Sequence, residues 1–227
     1  LGSSGNIEIQ TPTQVVGASG SVKISTGKST AGDSGKIEIS TQDSTVSAGG
    51  MNFNAGDSAT GRGGDFSMTA GSSATTNGGD LKISTGKGAK TSGSIILGSG
   101  LAEMQSGSVE ISSGNAVSGN AGSVLIQSGL ALDASSQSEI VLSVKDSTGI
   151  GGNIVLKAGS SSSLTGGAVR LVGGASSSLA GSGGVNVRTA DGLAGSSSGA
   201  IEMKTGSANG GSSGGISLIA GASSGVA

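Results

Sequence analysis

The sequence contains no cysteine, histidine, tryptophan or tyrosine, and only two phenylalanines and one proline among its 227 residues. Without cysteine and histidine there can be no disulfide, no thiol nucleophile, no Ser-His-Asp triad and none of the usual zinc sites. Aromatic side chains normally supply much of the area buried in a globular core, so their near absence argues against such a core. We therefore predict a protein that is not an enzyme and that holds no metal and no cofactor.

Charge is also scarce. The 12 lysines and arginines and 14 acidic residues give a net charge of −2 and are spread thinly along the chain. A nucleic-acid-binding surface needs a basic patch, and a membrane span needs about 18 consecutive apolar residues. We predict neither nucleic-acid binding nor a membrane span.

What the sequence does contain is glycine, 47 residues of it, placed within a repeat. The segment Gly79–Gly86 (Gly-Asp-Leu-Lys-Ile-Ser-Thr-Gly) shows the pattern, in which two apolar residues are separated by one polar residue and flanked by small residues. The mean interval between such pairs is about 15 residues, from Ile7 to Ile216. The pairs are Ile7/Ile9, Val22/Ile24, Ile37/Ile39, Met51/Phe53, Phe66/Met68, Leu81/Ile83, Ile95/Leu97, Val109/Ile111, Val124/Ile126, Ile140/Leu142, Ile154/Leu156, Val169/Leu171, Val185/Val187, Ile201/Met203 and Ile216/Leu218.

Apolar residues two apart are typical of a strand, because side chains at i and i+2 lie on the same face. A glycine stands two residues before the pair in every repeat except the one that has Ser138 there, and another usually stands three residues after it. These glycines indicate corners at both ends of a short strand. The small residue two positions after the pair, such as Thr26, Thr41 or Thr85, is expected to point inward with it.

Segments of about nine residues separate the strands. They are longer than tight hairpin loops, and the near-identical repeats favour stacking of equivalent strands, so we predict an all-β fold, a right-handed parallel β-solenoid, rather than an antiparallel meander or sandwich. One coil could contain one repeat or two, that is 15 or about 30 residues; the two-repeat coil is favoured, and both stay open. The array would occupy residues 1–227 as a single domain, a segment of a longer protein or filament. The predicted core ladder consists of Ile7, Ile9, Val22, Ile24, Ile37, Ile39, Leu81, Ile83, Val109, Ile111, Val124, Ile126, Ile154, Leu156, Ile216 and Leu218.

Each connecting segment usually carries one apolar residue, which is expected to lie under the corner and close the end of the core. Examples are Val46, Val117, Ile150, Leu164 and Leu179.

A second apolar set lies on the opposite, outward face of the predicted strands. It has two interpretations, ordinary surface scatter or a lateral contact between solenoids, and the sequence leaves both open. The candidate lateral interface consists of Ile96, Leu125, Val141, Val155, Val172 and Ile219.

Carboxylates recur as well, with Asp65 and Asp80 at the same repeat position. Glycosidases use paired carboxylates, but acidic residues beside a strand are far more often solvated charges. We predict no catalytic residue.

The phrases Gly-Gly-Asp-Leu-Lys-Ile-Ser-Thr-Gly (78–86) and Gly-Gly-Asn-Ile-Val-Leu-Lys-Ala-Gly (151–159) resemble the repeats of filamentous-haemagglutinin-type secreted adhesins. They are also similar to Gly/Ser-rich repeat proteins from algal genomes. The resemblance implies a β-helical shaft located outside the cell or on its surface.

The sequence thus predicts a structural subunit or shaft of an extracellular filament, fibre or adhesin. The expected partner is the chain itself, head-to-tail through strand edges without caps and laterally through the outward apolar set, with O-linked glycans on the serines left open. The alternative is a binding module, an ice-binding or polysaccharide-binding β-solenoid. A disordered chain is the third possibility.

Overall fold

The structure, a computed structural model, describes residues 4–133, 137–177 and 181–222. None of these residues belongs to a helix or a β-strand. They divide into two units, Leu1–Glu110 and Ile111–Ala227, each of which repeats the same local arrangement. The prediction of a parallel β-solenoid is therefore wrong: among the described residues there is no strand ladder, no sheet and no stacked coil.

The reason is visible in the backbone hydrogen bonds. A solenoid requires bonds between residues of neighbouring coils, 15 or 30 positions apart, whereas the observed bonds join residues only three to nine positions apart. Most of them link the two ends of one connecting segment. In those bonds, the amide of the glycine two before an apolar pair donates to the carbonyl of the glycine three after the preceding pair. They are Gly64 to Gly56 (2.9 Å), Gly79 to Gly71 (2.9 Å), Gly93 to Gly86 (3.4 Å), Gly167 to Gly159 (2.9 Å) and Gly183 to Gly174 (2.8 Å).

These five connecting segments are thus closed loops, and two corner glycines form the base of each. A bend lies near the middle of most loops, and the loop before Gly199 contains the one hydrogen-bonded turn in the described ranges, at Ala194 and Gly195. In that turn Ala194 has a φ of +46°, which is in the left-handed region, and the Ser196 amide donates to the Leu193 carbonyl at 3.1 Å.

Nothing in the described ranges is buried, so the core ladder predicted from the apolar pairs does not form. The side chains of its members are all exposed, because no second layer of this chain covers them. These are Ile7, Ile9, Val22, Ile24, Ile37, Ile39, Leu81, Ile83, Val109, Ile111, Val124, Ile126, Ile154, Leu156, Ile216 and Leu218.

The loop residues predicted to close the end of the core are exposed too. Ile150 is 98% exposed, and Val46, Val117 and Leu164 are similarly open, while Leu179 lies outside the described residues. With no core to close, an apolar side chain in the middle of a loop points to solvent, so this prediction was wrong.

Candidate interaction surface

The repeat segments keep a strand-like alternation of side chains although they form no strand. Three ion pairs join charged residues two positions apart, and such residues can meet only if both project from the same side of the backbone. The residue between the two partners belongs to an apolar pair in each case, and it therefore projects the other way. The pairs are Lys36 with Glu38 (2.8 Å), Lys82 with Asp80 (3.3 Å) and Lys204 with Glu202 (2.9 Å).

Each repeat segment therefore has an apolar face, which carries the pair, and a polar face, which carries the residues before, between and after it. Exposure follows this division. Ile154 is 49% exposed while its neighbour Val155 is 78% exposed, and Val124 is 51% exposed beside Leu125 at 80%. The apolar face is thus the more sheltered of the two, but about half or more of each leading side chain remains in contact with solvent.

The predicted lateral interface lies on the polar face. All of its members are exposed. Their contact with another copy stays a prediction for Ile96, Leu125, Val141, Val155, Val172 and Ile219.

The small residue two positions after each pair packs at the base of the following loop. A Cβ added at Gly20 would lie 3.4 Å from Thr11 Cγ2, and one at Gly35 would lie 3.3 Å from Thr26 Cγ2. The same contact recurs from repeat to repeat, with Thr41 against Gly49 as a further example. Most of the least exposed residues of the described chain occupy this position; they are Thr11, Ser128, Ala158, Gly173 and Thr189.

This packing bears on the ice-binding alternative, which requires threonines ranked on an open, flat surface. Thr26, Thr41 and Thr85 instead direct their methyl-bearing side chains at the glycine that closes the loop. No described feature therefore favours ice binding over a structural role.

Ser138, the one exception to the leading-glycine rule, closes its loop in another way. Its hydroxyl donates to the carbonyl of Gly129 at 2.7 Å. Gly129 occupies the acceptor position of the Gly–Gly bonds in the other loops, so the serine side chain replaces the glycine amide as the donor. The irregularity in the sequence thus preserves the same contact.

The loops also contain a serine turn that the sequence analysis missed. Five positions after the second apolar residue, a serine oxygen accepts hydrogen bonds from amides two or three residues further on, as Ser73 does from Thr75 (3.3 Å) and Thr76 (3.0 Å). Serine and threonine commonly form such turns, and the fixed position within the repeat was the signal that could have revealed it. The serines concerned are Ser29, Ser44, Ser58, Ser73, Ser147 and Ser161.

The two phenylalanines lie on either side of one closed loop and contact each other. Their ring centroids are 6.3 Å apart, and the ring planes are inclined at 42°. Phe53 ends one apolar pair and Phe66 begins the next, so the apolar faces of these two consecutive repeats lie side by side.

No described group of side chains converges as a catalytic or metal site would. Asp65 pairs with Arg62 (2.6 Å) and Asp80 with Lys82, so the repeated carboxylates are solvated partners of nearby cations. Within the described ranges no cluster of three potential metal ligands occurs. A shallow cleft is lined by four consecutive residues of one repeat, 188–191, and brings no distant side chains together. None of the described segments is a helix that could cross a bilayer.

Comparison with known proteins adds no relative: no family model, no curated protein and no solved structure matches the chain. The resemblance to secreted adhesin repeats therefore stays an expectation from the sequence, and the exposed apolar face is the feature of this chain from which a function can be argued.

Proposed function

We propose that this chain is a structural protein, a segment of an extracellular filament, fibre or adhesin shaft that associates with further copies of itself. The observation that carries this proposal is that an apolar pair recurs about every 15 residues and is left uncovered. A catalyst or small-ligand receptor concentrates its chemistry at one place. In this chain the apolar pair instead recurs along the whole sequence, as the repeats of a structural array do.

The surface area supports the same conclusion. The chain exposes 22992 Å², whereas a compact protein of 21.0 kDa exposes about 9,000 Å² and its fully unfolded chain about 30,000 Å². The single chain thus removes only about a quarter of its unfolded surface from water, compared with roughly 70% for a compact domain. Burial of apolar surface is the main favourable term in folding, so a stable fold of this chain requires contacts beyond one copy.

The polar face suits an assembled protein that remains hydrated. Its ion pairs, such as Lys36 with Glu38, are mostly exposed and contribute little stability, generally less than about 1 kcal/mol each. These ion pairs keep the polar face hydrated, while the apolar face is available for contact with another copy.

Sedimentation velocity and negative-stain electron microscopy over a wide range of protein concentration test this function. We expect a monomer at the lowest concentration and elongated assemblies at higher ones, with protection of amides outside the hydrogen-bonded loops appearing only on assembly. Dispersed monomers throughout, with equally protected amides, would contradict it. Surface labelling of intact source cells by an antibody to the loops checks the extracellular location, and labelling only after permeabilisation would refute that part.

A further inference from the structure

We infer that the apolar face defined above is the surface through which one copy of this chain binds another, each copy placing its apolar face against that of its partner. This assignment rests on the proposed self-association and specifies which side of the repeat is covered. The polar face, including Leu125 and Val155, remains outside.

The exposed surface area of the chain indicates how large its partner must be. The excess over a compact protein of this size is about 14,000 Å², while a standard stable complex buries about 1,600 Å² in total. A small ligand or a single peptide could cover only a few repeats. A partner that covers the whole array must be as long as the array and must present apolar groups at the same spacing.

A second copy meets this requirement because of the repeat. Its apolar pairs recur at the same sequence interval of about 15 residues, so within one unit a match at one pair brings the neighbouring pairs into register. Flat apolar layers stack about 10 Å apart, and such a separation is filled by the side chains of both layers. Apart from Val144, the residues at the loop bases are small, as Thr26 and Ala158 are, and so do not hold the layers apart.

The distribution of charged residues also favours the apolar face as the surface that a second copy covers. Within the repeat segments, the charged residues Lys36, Glu38, Asp80 and Lys82 all lie on the polar face by the geometry of their ion pairs. Covering the apolar face therefore desolvates neither of these pairs, whereas covering the polar face would remove them from water, which is costly. The lateral set lies on the same polar face as these charges, which makes it the less favourable surface for burial.

Two matched double variants distinguish the faces. Val124→Glu with Ile154→Glu places carboxylates on the apolar face, and Leu125→Glu with Val155→Glu places them one residue away on the polar face. All four side chains are exposed in the single chain, so neither variant disturbs a core. We expect the first variant to weaken association at least about 30-fold, since a buried unpaired charge is strongly unfavourable, and the second to change it less than about 3-fold.

The outcomes separate this inference from the proposed function. If the wild type does not associate, the structural function itself fails. If the wild type associates, but the polar-face variant loses at least as much affinity as the apolar-face variant, the function stands and the face assignment is overturned.

A second readout does not depend on carboxylates. The chain has no cysteine, so nitroxide labels can be attached singly through Ile154→Cys and Val155→Cys. On assembly we expect the label at 154 to become immobile and inaccessible to a soluble relaxation agent, while the label at 155 remains mobile. The reverse pattern, or a label at 154 that is already shielded in the dilute monomer, would overturn the inference.

Discussion

Phe53 and Phe66 touch across a closed loop, with their ring centroids 6.3 Å apart, although 13 positions separate them in the sequence. The base of that loop is the hydrogen bond from the Gly64 amide to the Gly56 carbonyl. Residues before and after the loop thus lie beside each other, as they do where a chain turns back on itself. In a parallel stack with one repeat per coil, Phe53 would instead lie over Met68, and Met51 over Phe66.

Nuclear Overhauser spectroscopy of the dilute monomer checks this relationship directly, because the sequence contains only two phenylalanines. We expect cross-peaks between the two aromatic rings, and their disappearance in Phe66→Ala. Cross-peaks from the Phe53 ring to the Met68 methyl, in place of ring-to-ring peaks, would indicate a parallel arrangement.

Gly64→Ala is expected to open the base of the same loop. The new Cβ would lie 3.3 Å from both the Ala55 Cβ and the Gly56 nitrogen, so the backbone must shift. Loss of this hydrogen bond should accelerate exchange of the residue-64 amide roughly 2- to 10-fold. Gly56→Ala is the matched control, because a Cβ there meets nothing within 4 Å; equal acceleration in both variants would argue against the close contact.

Ser138→Ala should free the Gly129 carbonyl, since it removes the hydroxyl that donates to it. Ser138→Gly recreates the residue found at this position in the other repeats, and its amide can take over as the donor. We expect the carbonyl carbon shift of Gly129 to change in the alanine variant and to stay close to the wild-type value in the glycine variant. Identical shifts in all three proteins would show that this contact does not close the loop.

Ser73→Ala removes an acceptor used by the amides of Thr75 and Thr76 and a hydroxyl contact to Thr76 at 2.9 Å. We expect the Thr76 amide to exchange about 2- to 10-fold faster, as for the loss of one hydrogen bond worth about 1 kcal/mol. Ser72→Ala, the neighbouring exposed serine, is the control and should leave that rate unchanged. If the control has the larger effect, the turn is not formed by Ser73.

The amino-acid sequence by itself determined the local features of the structure, those that depend only on residues close to one another in the chain. Alternation of side chains is a property of the local backbone, and the pairing of Lys36 with Glu38 across Ile37 follows it. The corner positions that precede the apolar pairs were also readable, because only small residues such as Gly64 fit where two chain segments come within van der Waals contact.

The tertiary structure alone decided how consecutive repeats are placed. Loops rich in glycine and serine allow many paths, so the sequence could not distinguish stacking in one direction from a return across the loop base. The repeat pattern is equally compatible with both, since side-chain alternation does not depend on chain direction. The Phe53–Phe66 contact and the Gly–Gly hydrogen bonds resolve that choice, and the apolar faces stay uncovered because one layer of chain has nothing of its own to pack against them.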